Sequence, residues 1–192
     1  MAPGSIAAGH GAALARHSKR TGDRHLARTN ADDREQLASE DRPAAIRTCA
    51  STRIARPAAT VFAFVVDGFF DNYPRWSPEV VELEPLDAGR IETGARVRQV
   101  RVDHGRRSDT TVCVTACERV RLLELEATGK PLYRIRYELA DAGTGHTTLE
   151  LTFELVRLEL YMRPFERLIR RAIRGGSQEA IDNIRALVEA EC

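Results

Sequence analysis

The chain has 192 residues, of which 43% are apolar and 30% charged, and a formal net charge of +1. That is the composition expected of a soluble globular protein. No run of about 18 apolar residues exists to cross a bilayer as a helix, and the charge balance excludes a strongly basic nucleic-acid binder, so no DNA partner is expected. The basic residues are 27 Arg and two Lys, Lys19 and Lys130, a bias that points to a GC-rich bacterial genome rather than to a function.

Residues 1–44 differ from the rest. They hold no Phe, Trp or Tyr, and their large aliphatics are only Ile6, Leu14, Leu26 and Leu37. So little apolar area does not offset the entropy of ordering, and a disordered tail is expected. No continuous apolar core of a secretory signal is present. The basic stretch 10–30 is superficially transit-like but runs straight into the acidic stretch 32–41, so an inert tail is expected. Seven of the 29 basic and six of the 28 acidic residues lie in it, leaving 22 of each in a neutral domain over 45–192. A domain of that size buries roughly two thirds of its unfolded surface, enough for a core without disulfides.

Cys49, Cys113, Cys117 and Cys192 include no CxxC pair. Cys113 and Cys117 are four apart in a strand sequence, so they are expected on one face, too far apart to bridge. Free thiols in a reducing cytoplasm are the expectation. The domain's two histidines, His104 and His146, both sit in turn sequences, so neither a metal site nor a cofactor is expected.

In chain order, 46–55 reads as a β-branched strand. Pro57 opens a helix with Val61, Phe62, Val65 and Val66 on its apolar face. Asp67-Gly68 breaks it, and Phe69, Phe70 and Tyr73 predict a second short helical turn. Pro74 and Pro78 bracket Trp76 and predict extended backbone there. Strands are predicted near 79–86, 94–102, 107–118, 121–127, 132–140 and 146–157, separated by Gly-bearing turns. The last two alternate most cleanly: Tyr133, Ile135, Tyr137 and Leu139 on one face, then Leu149, Leu151, Phe153 and Leu155. Short connections predict an antiparallel meander. The final pattern predicts one helix over 160–190 with Phe165, Leu168, Ile169, Ala172 and Ile173, then Ala180, Ile181, Ile184, Leu187 and Val188, facing the sheet. The phase holds across Gly175-Gly176, a pair that predicts a packing role or a bend. One helix does not fill a strongly curved sheet, so a cavity between them is expected.

Ile54-Ala55-Arg56-Pro57, the run Val61 to Asp67, Tyr73-Pro74-Arg75-Trp76-Ser77-Pro78, Gly94-Ala95-Arg96-Val97-Arg98, the Gly143-Thr144-Gly145 turn and Arg163-Pro164 resemble the polyketide cyclase/dehydrase and lipid-transport family of the START-like (SRPBCC) superfamily. The resemblance covers 46–190. It implies an α+β helix-grip fold: a seven-stranded curved antiparallel sheet around a long C-terminal helix, with two short helices after the first strand. It also implies binding or transport of a hydrophobic small molecule (lipid, aromatic or polyketide-like). The family's other activities imply two alternatives: a cofactor-independent cyclase or dehydratase, or an interaction module such as a ribosome-directed toxin.

No nucleophile elbow, zinc-protease motif or phosphate loop occurs. Acid/base candidates are polar residues on strands. If Val97 points inward, so do Gln99 and Arg101; Arg101 then either meets a ligand anion or lies at a solvated rim. Tyr133 and Tyr137 share an apolar face, where each would hydrogen-bond a ligand carbonyl, protonate an enolate if its pKa were lowered, or serve as a core tyrosine. Arg101, Tyr133 and Tyr137 are thus the catalytic candidates. The expected ligand-lining residues are Phe64, Tyr73, Trp76, Val97, Gln99, Val112, Val114, Leu125, Ile135, Phe153, Phe165 and Ile169. Tyr73 and Trp76 are expected to close one end of the pocket. Arg163, Arg167, Arg170, Arg171 and Arg174 form either a solvated helix face or a contact for an anionic membrane or RNA.

Overall fold

The computed structural model describes residues 45–103 and 105–192. The predicted tail 1–44 and His104 lie outside the described residues. The elements are β1 (Ile46–Ile54), α1 (Ala58–Phe62) running into a π-helical turn (Ala63–Asp67), α2 (Phe69–Trp76), β2 (Val80–Pro85), β3 (Arg96–Asp103), β4 (Arg106–Glu118), β5 (Leu122–Ala127), β6 (Tyr133–Asp141), β7 (Thr147–Leu155), a 3-10 segment (Leu160–Phe165) and α3 (Glu166–Glu191). All seven strands join one antiparallel sheet in the order β1-β7-β6-β5-β4-β3-β2. This is the α+β helix-grip arrangement.

Strict alternation sets the inner face. Along β1 the residues Ile46, Thr48, Ala50, Thr52 and Ile54 are buried and those between them exposed. The register continues that face across the sheet: Ala50 lies opposite Leu151, and Leu151 opposite Tyr137. The outer face carries charge instead. There Arg134 reaches Glu126 at 2.9 Å, Glu154 at 3.6 Å and Glu124 at 3.8 Å.

Two bulges modify the pattern. One falls between Val80 and Glu82 in edge strand β2, which ends at Pro85. Its Glu82 and Glu84 pair with Arg98 at 3.3 and 3.2 Å, and Glu82 also with Arg107 at 2.6 Å. The other falls between Val114 and Ala116 and overturns the expectation for the cysteines. Cys113 lies opposite Glu126 on the outer face, whereas Cys117 lies opposite Leu123 and packs on the core. An extra residue in one strand reverses every side chain beyond it.

The proline-bracketed segment also differs from expectation. Tyr73 and Trp76 belong to α2, with Pro74 inside the helix. Phe69, Tyr73 and Trp76 fall at i, i+4 and i+7, and all are buried. Burying three aromatic side chains at about 1.5–3 kcal/mol each outweighs the roughly 3 kcal/mol cost of a helical proline. Before it, the π turn, closed by Gly68 N donating to Ala63 O at 2.9 Å, widens the buried stripe to include Phe64 beside Val65 and Val66.

The last helix is continuous across Gly175-Gly176, as its phase predicts, and the pair makes no close packing contact there. A Cβ built on either glycine meets nothing within 4 Å. The expected apolar face is buried only in its second half, at Ser177, Ile181, Ile184 and Val188. That half is also pinned: Ala55 N donates to Glu189 Oε1 at 2.8 Å, Arg56 Nη2 to Glu189 O at 2.7 Å, and Arg75 pairs with Glu191. In the first half Ile169 and Ile173 touch the core, but Phe165, Leu168 and Ala172 are exposed. Leu168 and Ala172 stand sixteen residues before Ile184 and Val188, about four and a half turns at 3.6 residues each, and so face away from the buried row. Pro164 disfavours α geometry at Arg163, and the 3-10 segment before Glu166 sets Phe165 apart from the helical phase. Among the described residues no helix is long and apolar enough to cross a membrane.

Candidate functional site

The inner face of the sheet and the aromatic face of α2 enclose a cluster of polar groups in apolar surroundings. Tyr73 and Trp76 approach from α2, their rings 5.2 Å apart, and Phe64 lies 5.9 Å from Trp76. Tyr133 and Tyr137 come from β6. Gln99 and Arg101 come from β3, where Val97 does point inward and is buried.

The Tyr137 and Tyr73 hydroxyls face each other within this cluster. The Trp76 indole N–H is turned toward Tyr137 without completing a hydrogen bond. Tyr133 stacks on Phe153, ring centroids 5.5 Å apart and planes at 16°. Arg101 sits at the edge of this cluster, its guanidinium partly exposed. It donates to Ser77 Oγ at 3.4 Å and pairs with Asp103 at 3.3 Å and Glu79 at 3.7 Å. Arg101 therefore joins both readings of the sequence: it lies at the rim, paired with acids, and it faces the tyrosines.

Burial dominates the electrostatics. It pushes Tyr133 and Tyr137 above the ordinary phenol value, with Tyr73 adding to both shifts. Burial raises Tyr73 as well, against the opposing pull of Arg101 and of the neighbouring Tyr137 hydroxyl. The condition for proton transfer from a lowered tyrosine pKa is not met, and all three hydroxyls are neutral donors at physiological pH. Burial opposes the Arg101 charge, but Tyr73, Asp103 and Tyr133 outweigh it, so the guanidinium stays protonated.

Four inward-facing polar atoms have no hydrogen-bond partner among the described residues: Trp76 Nε1, Gln99 Nε2, Tyr133 OH and Thr48 Oγ1. A fifth, Arg136 Nε, belongs to the charged outer face. Leaving a buried donor unsatisfied costs about 1–3 kcal/mol, so each of the four calls for a partner from a ligand or an ordered water. All four can donate. Around them Val97, Val112, Val114, Leu125 and Ile135 supply buried apolar walls. The arrangement complements a molecule with an apolar body and oxygen acceptors.

Of the expected lining residues, Phe64, Tyr73, Trp76, Val97, Gln99, Val112, Val114, Leu125, Ile135 and Phe153 lie on this interior. Ile169 packs on the core from α3, and Phe165 faces solvent at 59% exposure. Sequence reasoning passed over Ser77 and Glu79, which hold Arg101, and Thr48, whose buried hydroxyl has no partner among the described residues. Thr48 had a signal: it is a hydroxyl on the same strand face as Ile46 and Ile54. Among the described residues no group of three or more His, Cys, Asp or Glu is placed to hold a metal.

Fold and interior together define a START-like helix-grip domain. Residues 45–189 match the model of the family described as polyketide cyclase / dehydrase and lipid transport, and the chain belongs to that family. Similar solved structures include the protein TTHA0849 from Thermus thermophilus, with 15% identity, a TM-score of 0.63, and coverage of 75% of this chain and 97% of that one. The Zhui aromatase/cyclase from Streptomyces sp. R1128 aligns at 15% identity and TM-score 0.62 over 74% and 93% of the two chains. A START superfamily protein from Mycobacterium smegmatis aligns at 17% identity and TM-score 0.60 over 76% and 99%. No functionally curated protein matches the sequence.

Proposed function

We propose that this domain binds or carries a hydrophobic small molecule bearing carbonyl or similar oxygen acceptors, lipid, aromatic or polyketide-like, in the cytoplasm. The observation that carries the reading is the set of unpartnered donors, Trp76 Nε1, Gln99 Nε2 and Tyr133 OH, within an apolar interior beside Arg101. A ligand oxygen at these atoms recovers hydrogen bonds that the protein alone leaves unmade. Native mass spectrometry of the purified full chain tests this directly, with a bound apolar compound as the expected result. The single tryptophan, Trp76, lies in the site and gives a second readout. Its emission is expected to shift on titration with a hydroxylated aromatic ketone or a fatty acid. No bound compound and no spectral response to any of these would overturn the proposal.

A second reading, a cyclase or dehydratase, draws on the neutral Tyr133 and Tyr137 hydroxyls facing the Arg101 guanidinium. Such a set would polarise a ligand carbonyl and stabilise an enolate by donation. Tyr133→Phe separates the two readings. A binder loses affinity, whereas an enzyme loses turnover and keeps affinity.

A further inference from the structure

The first half of the last helix carries a surface of a different kind, independent of what the interior holds. Four large apolar side chains are exposed together at its start: Leu160 at 73%, Tyr161 at 76%, Phe165 at 59% and Leu168 at 66%. They span the 3-10 segment and the first turn of α3. Among the described residues the only other large apolar side chains so exposed are Val81 and Leu86, on and after β2. The concentration at one helix start is therefore a feature of this surface.

The arginines of the same stretch are equally distinctive. Residues 157–174 hold six Arg against Glu159 and Glu166. Arg170 pairs with Glu166 at 2.9 Å. Among the described residues Arg157, Arg163, Arg167, Arg171 and Arg174 form no ion pair; on the sheet Arg53 and Arg106 form none either, while Arg96, Arg98, Arg134 and Arg136 are paired. Within α3, Arg167, Arg171 and Arg174 lie at i, i+4 and i+7, a helical row distinct from that of Leu168 and Ala172, with Arg163 and Phe165 preceding them in the 3-10 segment. Beside the start of the segment lies a groove of about 460 Å³ lined by Val156, Leu158 and Leu160 together with Arg157, Arg163 and Glu159.

We infer that this half-helix docks on an anionic lipid surface. Exposed aromatic and aliphatic side chains on one row, with unpaired arginines on another, are the composition of a helix that lies in the headgroup layer. Tyr161 is the residue type that favours the interface itself. Charge complementarity selects an anionic surface, and the apolar row selects lipid over RNA, whose backbone needs the arginines alone. The second half of α3 stays pinned to the fold throughout.

The test is co-sedimentation of the full chain with vesicles of phosphatidylcholine, with and without phosphatidylglycerol. Binding is expected only with phosphatidylglycerol, and it is expected to weaken as salt rises. The triple variant Arg163→Glu, Arg167→Glu, Arg171→Glu is expected to lose on the order of a hundredfold in affinity. The triple variant Tyr161→Ser, Phe165→Ser, Leu168→Ser is expected to lose at least about tenfold. These side chains are exposed, and unchanged melting temperatures verify that each variant folds. Failure of the full chain to bind phosphatidylglycerol vesicles overturns the inference. So does equal binding to phosphatidylcholine alone, or wild-type binding by either variant. Binding of single-stranded RNA that only the arginine variant loses, without vesicle binding, assigns the surface to RNA and overturns it as well.

Discussion

Tyr133 and Phe153 stack ring on ring across β6 and β7, 5.5 Å between centroids, and this places the Tyr133 hydroxyl in the interior with no partner among the described residues. The aromatic contact and the hydroxyl therefore separate cleanly. In Tyr133→Phe the stack survives and an unsatisfied buried donor disappears. The ligand-free variant is expected to be more stable than wild type by about 1 kcal/mol. Its affinity for a ligand identified by Trp76 fluorescence is expected to fall about fivefold to tenfold. A destabilised variant would show that the hydroxyl is satisfied in the folded protein.

The three interior tyrosines set an alkaline limit on stability. Each has its folded pKa raised, first of all by burial. A raised folded value means that the folded state holds its proton when the unfolded state has lost it. The contribution is complete below the unfolded phenol value, near 10, and is lost as pH climbs beyond it. Denaturant midpoints are expected to fall above about pH 10. Phenolate absorbance from Tyr73, Tyr133 and Tyr137 is expected to develop with unfolding. Ionisation of all four tyrosines in the folded chain would contradict this.

Gly175 and Gly176 offer a stabilising substitution. Both lie inside α3 with open space where a side chain would stand. Alanine there removes backbone freedom from the unfolded chain and introduces no clash, so each substitution is expected to add about 1 kcal/mol. Thermal melts of Gly175→Ala and Gly176→Ala check the sign. A lower melting temperature would mean that the pair has a structural role beyond the helix itself.

The two halves of α3 are expected to exchange amide hydrogens at different rates. The half from Ser177 onward has buried anchors and ties to Ala55, Arg56 and Arg75, while the half before it has few. Local opening tracks such contacts. Amides of 169–176 are expected to lose protection well before those of 181–190, and uniform protection would contradict the division.

The strand order was legible because alternation is a period-two signal that survives burial on one face, as in Tyr133 to Leu139 and Leu149 to Leu155. Burial was legible to the same extent: ten of the residues expected to line a pocket are buried or packed on the core, as strand faces and aromatic spacing predict. What stayed hidden depends on single-residue events. A bulge at Thr115 leaves no mark in composition, yet it separates Cys113 from Cys117. Pro74 reads as a helix breaker because a local rule does not count three aromatic side chains burying together. Leu168 stands sixteen residues before Ile184, about four and a half turns at 3.6 residues each, so it faces away from the buried row, which the loose apolar spacing of the segment conceals.

The bulged edge strand has a consequence for how copies of the domain meet. Strand β2 is six residues long, kinked at its start and closed by a proline, and its glutamates are held by Arg98 and Arg107. An incoming strand would need a straight row of free amides and carbonyls and would have to displace those ion pairs. The sheet thus ends on this side in a margin that resists templating, which disfavours growth of the sheet from chain to chain through β2.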